Sequence, residues 1–325
     1  MRRYFAFVVP VAMIAAAQVC RADDAVTIPA FSPTEGAKYT YAVRQQAVSE
    51  INRALGVEAT TSYGEFQRNV RVGSRSGDNV TMSWHFSADL PADAASAPNG
   101  EYRLNYDYWR TLGFWKASDF TIETDASGAP AKLAEWPAIR AHVMDVMRAQ
   151  AGAGEVANVS AIAKLVASID ANPAGFVETL LPEALIMAKG QRSAPATLAV
   201  GAEWQSDRVS PLNASDIRIH TKWLIESADQ AAQTVTIAWR EQADADDVAR
   251  AFKAMLDEEM ESARSNEVLL LGERRTLLAT ASMTEAGRTV ISLRDGTSIA
   301  AEATRDLQVG VYRSRIHLKV DRLPH

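Results

Sequence analysis

Between Asn79 and Ser87 the side chains alternate without a break. Val80, Met82, Trp84 and Phe86 fall on one face, and Thr81, Ser83, His85 and Ser87 fall on the other. A period of two is the mark of a strand with one buried and one wet face, and a chain that keeps returning to it builds antiparallel sheet. This chain returns to it at Tyr39, Tyr41 and Val43, and again at Tyr102, Leu104, Tyr106 and Tyr108. It does so once more at Ile217, Ile219, Thr221, Trp223 and Ile225, and at Val235, Ile237 and Trp239. Three further strands are expected at roughly 274–283, 288–294 and 309–320.

The middle of the chain changes period. Ile139, Val143, Val146 and Met147 lie at helical spacing, as do Val159, Ile162, Val166 and Ile169, and Pro182 opens a segment that stops near Gly190. A helix is also predicted from Asp246, with Val248, Phe252, Met255 and Leu256 as its apolar stripe. The acids Asp244, Asp246 and Asp247 then read as caps for its first turn rather than as a calcium loop, which would need a turn glycine.

Two strand sets open alike, at Gly36-Ala37-Lys38-Tyr39 and at Gly201-Ala202-Glu203-Trp204, and each later reaches a turn, at Asp125-Ala126-Ser127-Gly128 and at Asp295-Gly296. The expected fold class is α+β: two similar lobes, each an antiparallel curved sheet with helices on one face. One lobe would span 23–190, including the central helices, and the other 191–325, with one long helix. A single α+β domain is the alternative.

Arg2 and Arg3 precede an uncharged run from Tyr4 to Val19, and Cys20-Arg21-Ala22 precedes Asp23-Asp24. A basic start, a short apolar core and small residues before an acidic pair form the layout of a secretory signal peptide, 1–22, cut after Ala22. An uncleaved anchor and a lipoprotein acylated on Cys20 are the alternatives. The expected compartment is the periplasm. Cleavage removes the one cysteine, and with it any disulfide, thiolate or Cys-ligated metal chemistry. It also lowers the 34 basic residues to 31 against 40 acidic ones, a net charge of −9 that disfavours nucleic acid as a partner. No later segment has the apolar length of a transmembrane helix.

Motifs for catalysis are missing. Gly73-Ser74-Arg75-Ser76-Gly77 places arginine where a nucleophile elbow needs serine. Gly152-Ala153-Gly154-Glu155-Val156-Ala157 follows a helix instead of the strand that a dinucleotide fingerprint requires. No cofactor and no metal site is expected.

Three groups of residues stand out as contact candidates. Phe176, Leu180, Leu181, Leu185, Ile186 and Met187 form a nearly uncharged segment broken at Pro182, suited to lining an apolar ligand or to the core of a central helix. Arg218, His220 and Lys222 share one strand face, and Arg313, Arg315, His317 and Lys319 share another; were the two strands neighbours, they would form a cationic face for an anion. Trp109 and Trp115 fall off the alternating tyrosine face and are candidates for exposed aromatic contacts.

The layout as a whole resembles uncharacterised exported proteins of Gram-negative bacteria and, more loosely, the half-open barrels with covering helices of periplasmic lipoprotein carriers (LolA-like). The resemblance implies a periplasmic compartment and a curved sheet under helices, and it transfers no functional residue. The expected function is a periplasmic binding or carrier protein whose partner is a lipid or other apolar small molecule. An envelope scaffold that contacts another envelope protein is the alternative, and a hydrolase with a motif-free site is the third reading.

The signal assignment predicts that the intact mass of the exported form begins at Asp23 and carries no acyl chain. Diacylglycerol on Cys20 would replace the soluble assignment with a lipoprotein.

Overall fold

The computed structural model describes residues 25–53, 56–86, 119–138, 181–212, 215–253, 281–310 and 312–324, with positions 140, 141, 144, 145, 166, 167, 170, 171, 173 and 177 between them. The expected signal segment, the 102–108 run and most of the segment expected to form the central helices lie outside these residues. Thirteen strands are described: β1 (Ala25–Ile28), β2 (Lys38–Arg53), β3 (Gly56–Ser76), β4 (Asn79–Phe86), β5 (Asp119–Thr124), β6 (Pro130–Leu133), β7 (Ala196–Ala199), β8 (Glu203–Leu212), β9 (Ser215–Asp229), β10 (Thr234–Ala243), β11 (Ala281–Ser292), β12 (Ser298–Val309) and β13 (Tyr312–Arg322). One helix, α1 (Pro182–Ala188), precedes β7, and residues 245–253 are also helical.

Eleven strands make one antiparallel sheet in the order β6-β5-β4-β3-β2-β13-β12-β11-β10-β9-β8, while β1 and β7 pair as a separate ribbon. This sheet overturns the two-lobed α+β expectation. Each strand set is a meander of sequence neighbours, so each looks self-contained along the chain. The sets fuse where β13 pairs with β2, from Tyr312 opposite Ile51 to Arg322 opposite Tyr41. The described residues are mostly strand, and helices do not form a layer on each of two separate sheets. The two outer strands carry prolines, Pro130 at the start of β6 and Pro211 in β8, where a missing backbone donor is tolerated.

The predicted alternation is observed in the burial. Val80, Met82 and Trp84 are buried on β4, as are Val235, Ile237 and Trp239 on β10. The turns at Asp125 and Asp295 are present, with the Asp125 carboxylate accepting from the amides of Ser127 and Ala129, each at 2.9 Å. Of the three predicted caps, Asp244 acts as one, its Oδ1 accepting from the amides of Asp246 and Asp247 at 3.0 and 3.1 Å, whereas the Asp247 carboxylate accepts from the Arg218 amide and guanidinium.

The strand boundaries near the C-terminus are not as predicted. The expected break between 283 and 288 does not exist, because β11 runs through Gly287. That glycine is there for space. Gly287 stands between Trp239 and Ala303 in the cross-strand register. A Cβ on it would sit 2.3 Å from the Glu302 carbonyl oxygen and 2.6 Å from the Trp239 ring.

The sheet curls, and α1 requires it to. From β6 to β10 there are eight strand spacings, roughly 38 Å if flat at about 4.8 Å each. A helix of seven residues is about 10 Å long. Yet α1 touches β6, β12 and β13, its Glu183 pairs with Arg68 of β3, and Lys189 at its end pairs with Glu241 of β10. Only a sheet wrapped around the helix brings these strands to it. Irregular register steps at Val72/Arg75 on β3, Glu123/Thr124 on β5, Thr236/Ile237 on β10 and Val290/Ile291 on β11 are the places where such strands bend.

Replacing Gly287 with alanine should therefore destabilise the sheet by about 1–3 kcal/mol through overpacking, measured by urea denaturation. A change below about 0.5 kcal/mol would show that Trp239 does not pack against this position.

Candidate functional site

The inner face of the sheet meets α1 in a core that also contains two sets of buried ions. Leu181, Leu185, Ile186 and Met187 are all buried, and Leu181 is fully so. Phe176 and Leu180 of the same predicted group lie outside the described residues, as do Trp109 and Trp115. Beside α1 is a cavity of about 30 Å³, lined by Phe31, Tyr41, Met82, Trp84, Ile122 and Met187 among others. Burial pushes the Tyr41 hydroxyl up to about 12, against the opposing pull of Arg322. The Trp84 indole nitrogen is buried with no hydrogen-bond partner among the described residues.

The helix is held by ions at both ends. At its start, Arg68 Nε donates to Glu183 Oε1 at 2.6 Å, with the side chains 3% and 1% exposed. Just past its end, the Lys189 ammonium is paired with Glu241, lies 3.9 Å from Glu285 Oε1 and stands 4.8 Å above the Trp239 ring. Glu241 and Glu285 face each other directly across β10 and β11. Two like charges in that register repel, and cations relieve them from three sides. Arg208 reaches Glu241 at 3.1 Å, Arg305 pairs with Glu285, and Lys189 reaches between them.

Burial lowers the Lys189 pKa, with Glu241 opposing the shift. Burial works against the Glu241 carboxylate too, but Lys189 and Arg208 outweigh it and hold the group at about 2. Hydroxyls complete the attachment of α1, whose last carbonyls accept from Thr289 (Ile186 O, 3.4 Å) and from Ser298 (Met187 O). Among the described residues, no three His, Cys, Asp or Glu side chains converge in the manner of metal ligands, and no helix is long and apolar enough to cross a membrane.

The two cationic groups are not brought together. Arg218, His220 and Lys222 lie on β9, and Arg313, Arg315, His317 and Lys319 on β13, with β10, β11 and β12 between them. Most are neutralised locally. Arg218 binds Asp247 at 2.9 Å, His220 contacts Asp207 at 2.9 Å, Arg315 binds Asp306 at 2.7 Å, His317 lies 3.3 Å from Glu302 and Lys319 lies 3.6 Å from Asp321.

The buried ions were the residues that sequence reasoning passed over, though a signal for them exists. Glu241 continues the apolar phase of Val235, Ile237 and Trp239, and Arg68 continues that of Val70 and Val72. A charge in phase with a buried face is a charge that needs a buried partner.

No protein-family model matches the chain, and no curated protein matches it. Among solved structures, one of lipovitellin, concerned with its lipid–protein interactions, is similar at 9% identity and a TM-score of 0.42. That alignment covers 90% of this chain, which spans 25% of the lipovitellin chain.

Removing Arg68 leaves Glu183 as a buried charge, so Arg68→Met should cost about 3–5 kcal/mol, while Arg68→Met with Glu183→Leu should recover most of that loss in urea melts. Equal losses in the single and double variants would mean that the pair does not act as a pair.

The pH dependence follows from Glu241. Its folded pKa of about 2 lies below the ordinary 4.5, so its contribution is complete above about pH 4.5 and lost as pH falls toward 2. Glu241→Gln should be less stable at neutral pH and should lack that acid limb. An unchanged acid limb in the variant would assign it to other groups.

Proposed function

We propose that this chain is an exported binding or carrier protein for an apolar or amphipathic small molecule, taken up between α1 and the concave face of the sheet. The observation that carries the reading is the curling of the large sheet around α1, which meets β3, β6, β10, β12 and β13, with an apolar and aromatic cavity between helix and sheet. The cavity is small while α1 is seated, so uptake proceeds by movement of α1.

The helix suits such movement. It has seven residues, no side-chain cap at its start and a proline in its first turn; ion pairs and hydroxyl contacts fix its ends, and its apolar side chains pack into the core between them. Met82 and Met187 line the cavity, and unbranched thioether side chains adapt to ligands of varied shape. The LolA-like layout and the export segment belong to the same proposal: a half-open antiparallel sheet over a helix, working in the periplasm on molecules that water disfavours.

Protein purified without detergent should release lipid or another apolar molecule detectable by mass spectrometry. After delipidation it should bind a fluorescent fatty acid saturably. Met82→Phe, which fills the cavity at a similar volume, should weaken that binding at least tenfold while the melting temperature moves by only a few degrees. Absence of saturable binding by the wild type, together with no co-purified apolar molecule, would overturn the carrier reading and leave the envelope scaffold.

A further inference from the structure

The face of the sheet turned away from α1 holds a groove of about 950 Å³ that crosses β8 to β12. Alternation decides which side chains reach it. On β10, Trp239 and Glu241 are buried toward α1, so Ala238 and Arg240 point the other way. The cross-strand register then sets Gln205, Lys222, Arg240, Ala286 and Thr304 in one row across five strands.

Within that row, Lys222 and Arg240 stand directly opposite each other on adjacent strands, and both are exposed. Like charges in that register destabilise a sheet. Neither side chain makes an ion pair with a described residue, whereas the basic side chains around them each meet a carboxylate. Arg288 binds Glu226 at 3.0 Å, His220 contacts Asp207 at 2.9 Å and His317 lies 3.3 Å from Glu302. The carboxylates that line the groove are Glu203, Glu226 and Glu302. The last two are engaged by Arg288 and His317, and Glu203 stands in the next row, opposite Leu224. Ala286 follows Arg240 in the row, so no bulky side chain crowds the guanidinium on that side.

We propose that Lys222 and Arg240 form a subsite for an oxyanion, the phosphate or carboxylate group of a molecule lying in this groove. Side chains opposite each other on neighbouring strands project about 5 Å apart. A planar guanidinium fork and an ammonium at that separation converge on one tetrahedral or planar oxyanion, the first through two parallel N–H donors and the second as a point charge. Gln205, opposite Lys222, adds a neutral donor on the far side of the ammonium. The site lies on the opposite face from α1 and does not depend on the carrier reading.

The test is an NMR titration of the whole mature chain with inorganic phosphate, using chloride at matched ionic strength as the control. Phosphate should produce saturable shifts in the Arg240 side-chain N–H and the Gln205 amide, with a millimolar midpoint, and chloride should not. In the double variant Lys222→Gln/Arg240→Gln the shifts should disappear, while the melting temperature stays the same or rises as the repulsion is removed.

Shifts that fail to saturate, that chloride reproduces or that persist in the double variant would overturn the proposal. A vesicle arm identifies the source of the anion. Wild-type co-sedimentation with phosphatidylglycerol but not phosphatidylcholine vesicles, lost in the double variant, assigns the site to a lipid headgroup. Phosphate binding without co-sedimentation assigns it to a free small molecule.

Discussion

A helix of seven residues cannot reach strands that a flat sheet would hold nearly 40 Å apart, so the sheet has to come to the helix. The contacts of α1 with β3, β6, β10, β12 and β13 are thus the constraint on which the curvature depends. Curvature in turn decides where apolar surface is buried: Val43, Val70, Val80, Ile122, Leu318 and Val320 all reach one core although their strands span much of the sheet. The register shifts supply the bends, and Gly287 supplies the room for Trp239 to lie across its neighbour.

The ions at the two ends of α1 follow from the same geometry. A helix clasped by a sheet leaves its polar ends near buried strand residues, and each charge there must meet an opposite one. Arg68 with Glu183 fastens the helix to the N-terminal strand set, and Lys189 with Glu241 and Glu285 fastens it to the C-terminal set. Buried pairs of this kind contribute little net stability compared with well-packed apolar groups, but they set orientation strictly, since any displaced arrangement strands a charge. They define one seated position for α1 while leaving its attachment breakable.

Much of the strand content was legible along the chain, because burial on one face writes itself as alternation. The runs through Trp84 and Trp239 and the turns at Asp125 and Asp295 could be read in that way. The number of sheets could not. Whether β13 meets β2 depends on backbone hydrogen bonds between residues about as far apart as the chain allows, and backbone groups leave no compositional trace. The two similar openings at Gly36 and Gly201 pointed instead to separate lobes. The expected break between 283 and 288 failed for a related reason: a glycine inside a strand and a glycine in a turn look alike until the ring that packs over it is known. The ionic residues were readable in principle, since Glu241 and Arg68 hold the phase of buried positions, but their partners at 189 and 183 lie on another element.

The seam between β2 and β13 also governs the order in which the molecule can be completed. Arg322 donates to the Tyr41 hydroxyl at 3.4 Å across 281 residues of chain. Every other neighbour in the large sheet is a sequence neighbour, so the two meanders can form early from nearby contacts. The second strand, however, must wait with one edge unpaired until β13 has emerged. For that interval β2 presents a row of open backbone donors and acceptors, the surface on which strands of other chains most readily add. β13 acts as the closing stitch, and without it β2 and β12 would each keep an open edge to which strands of other molecules can add.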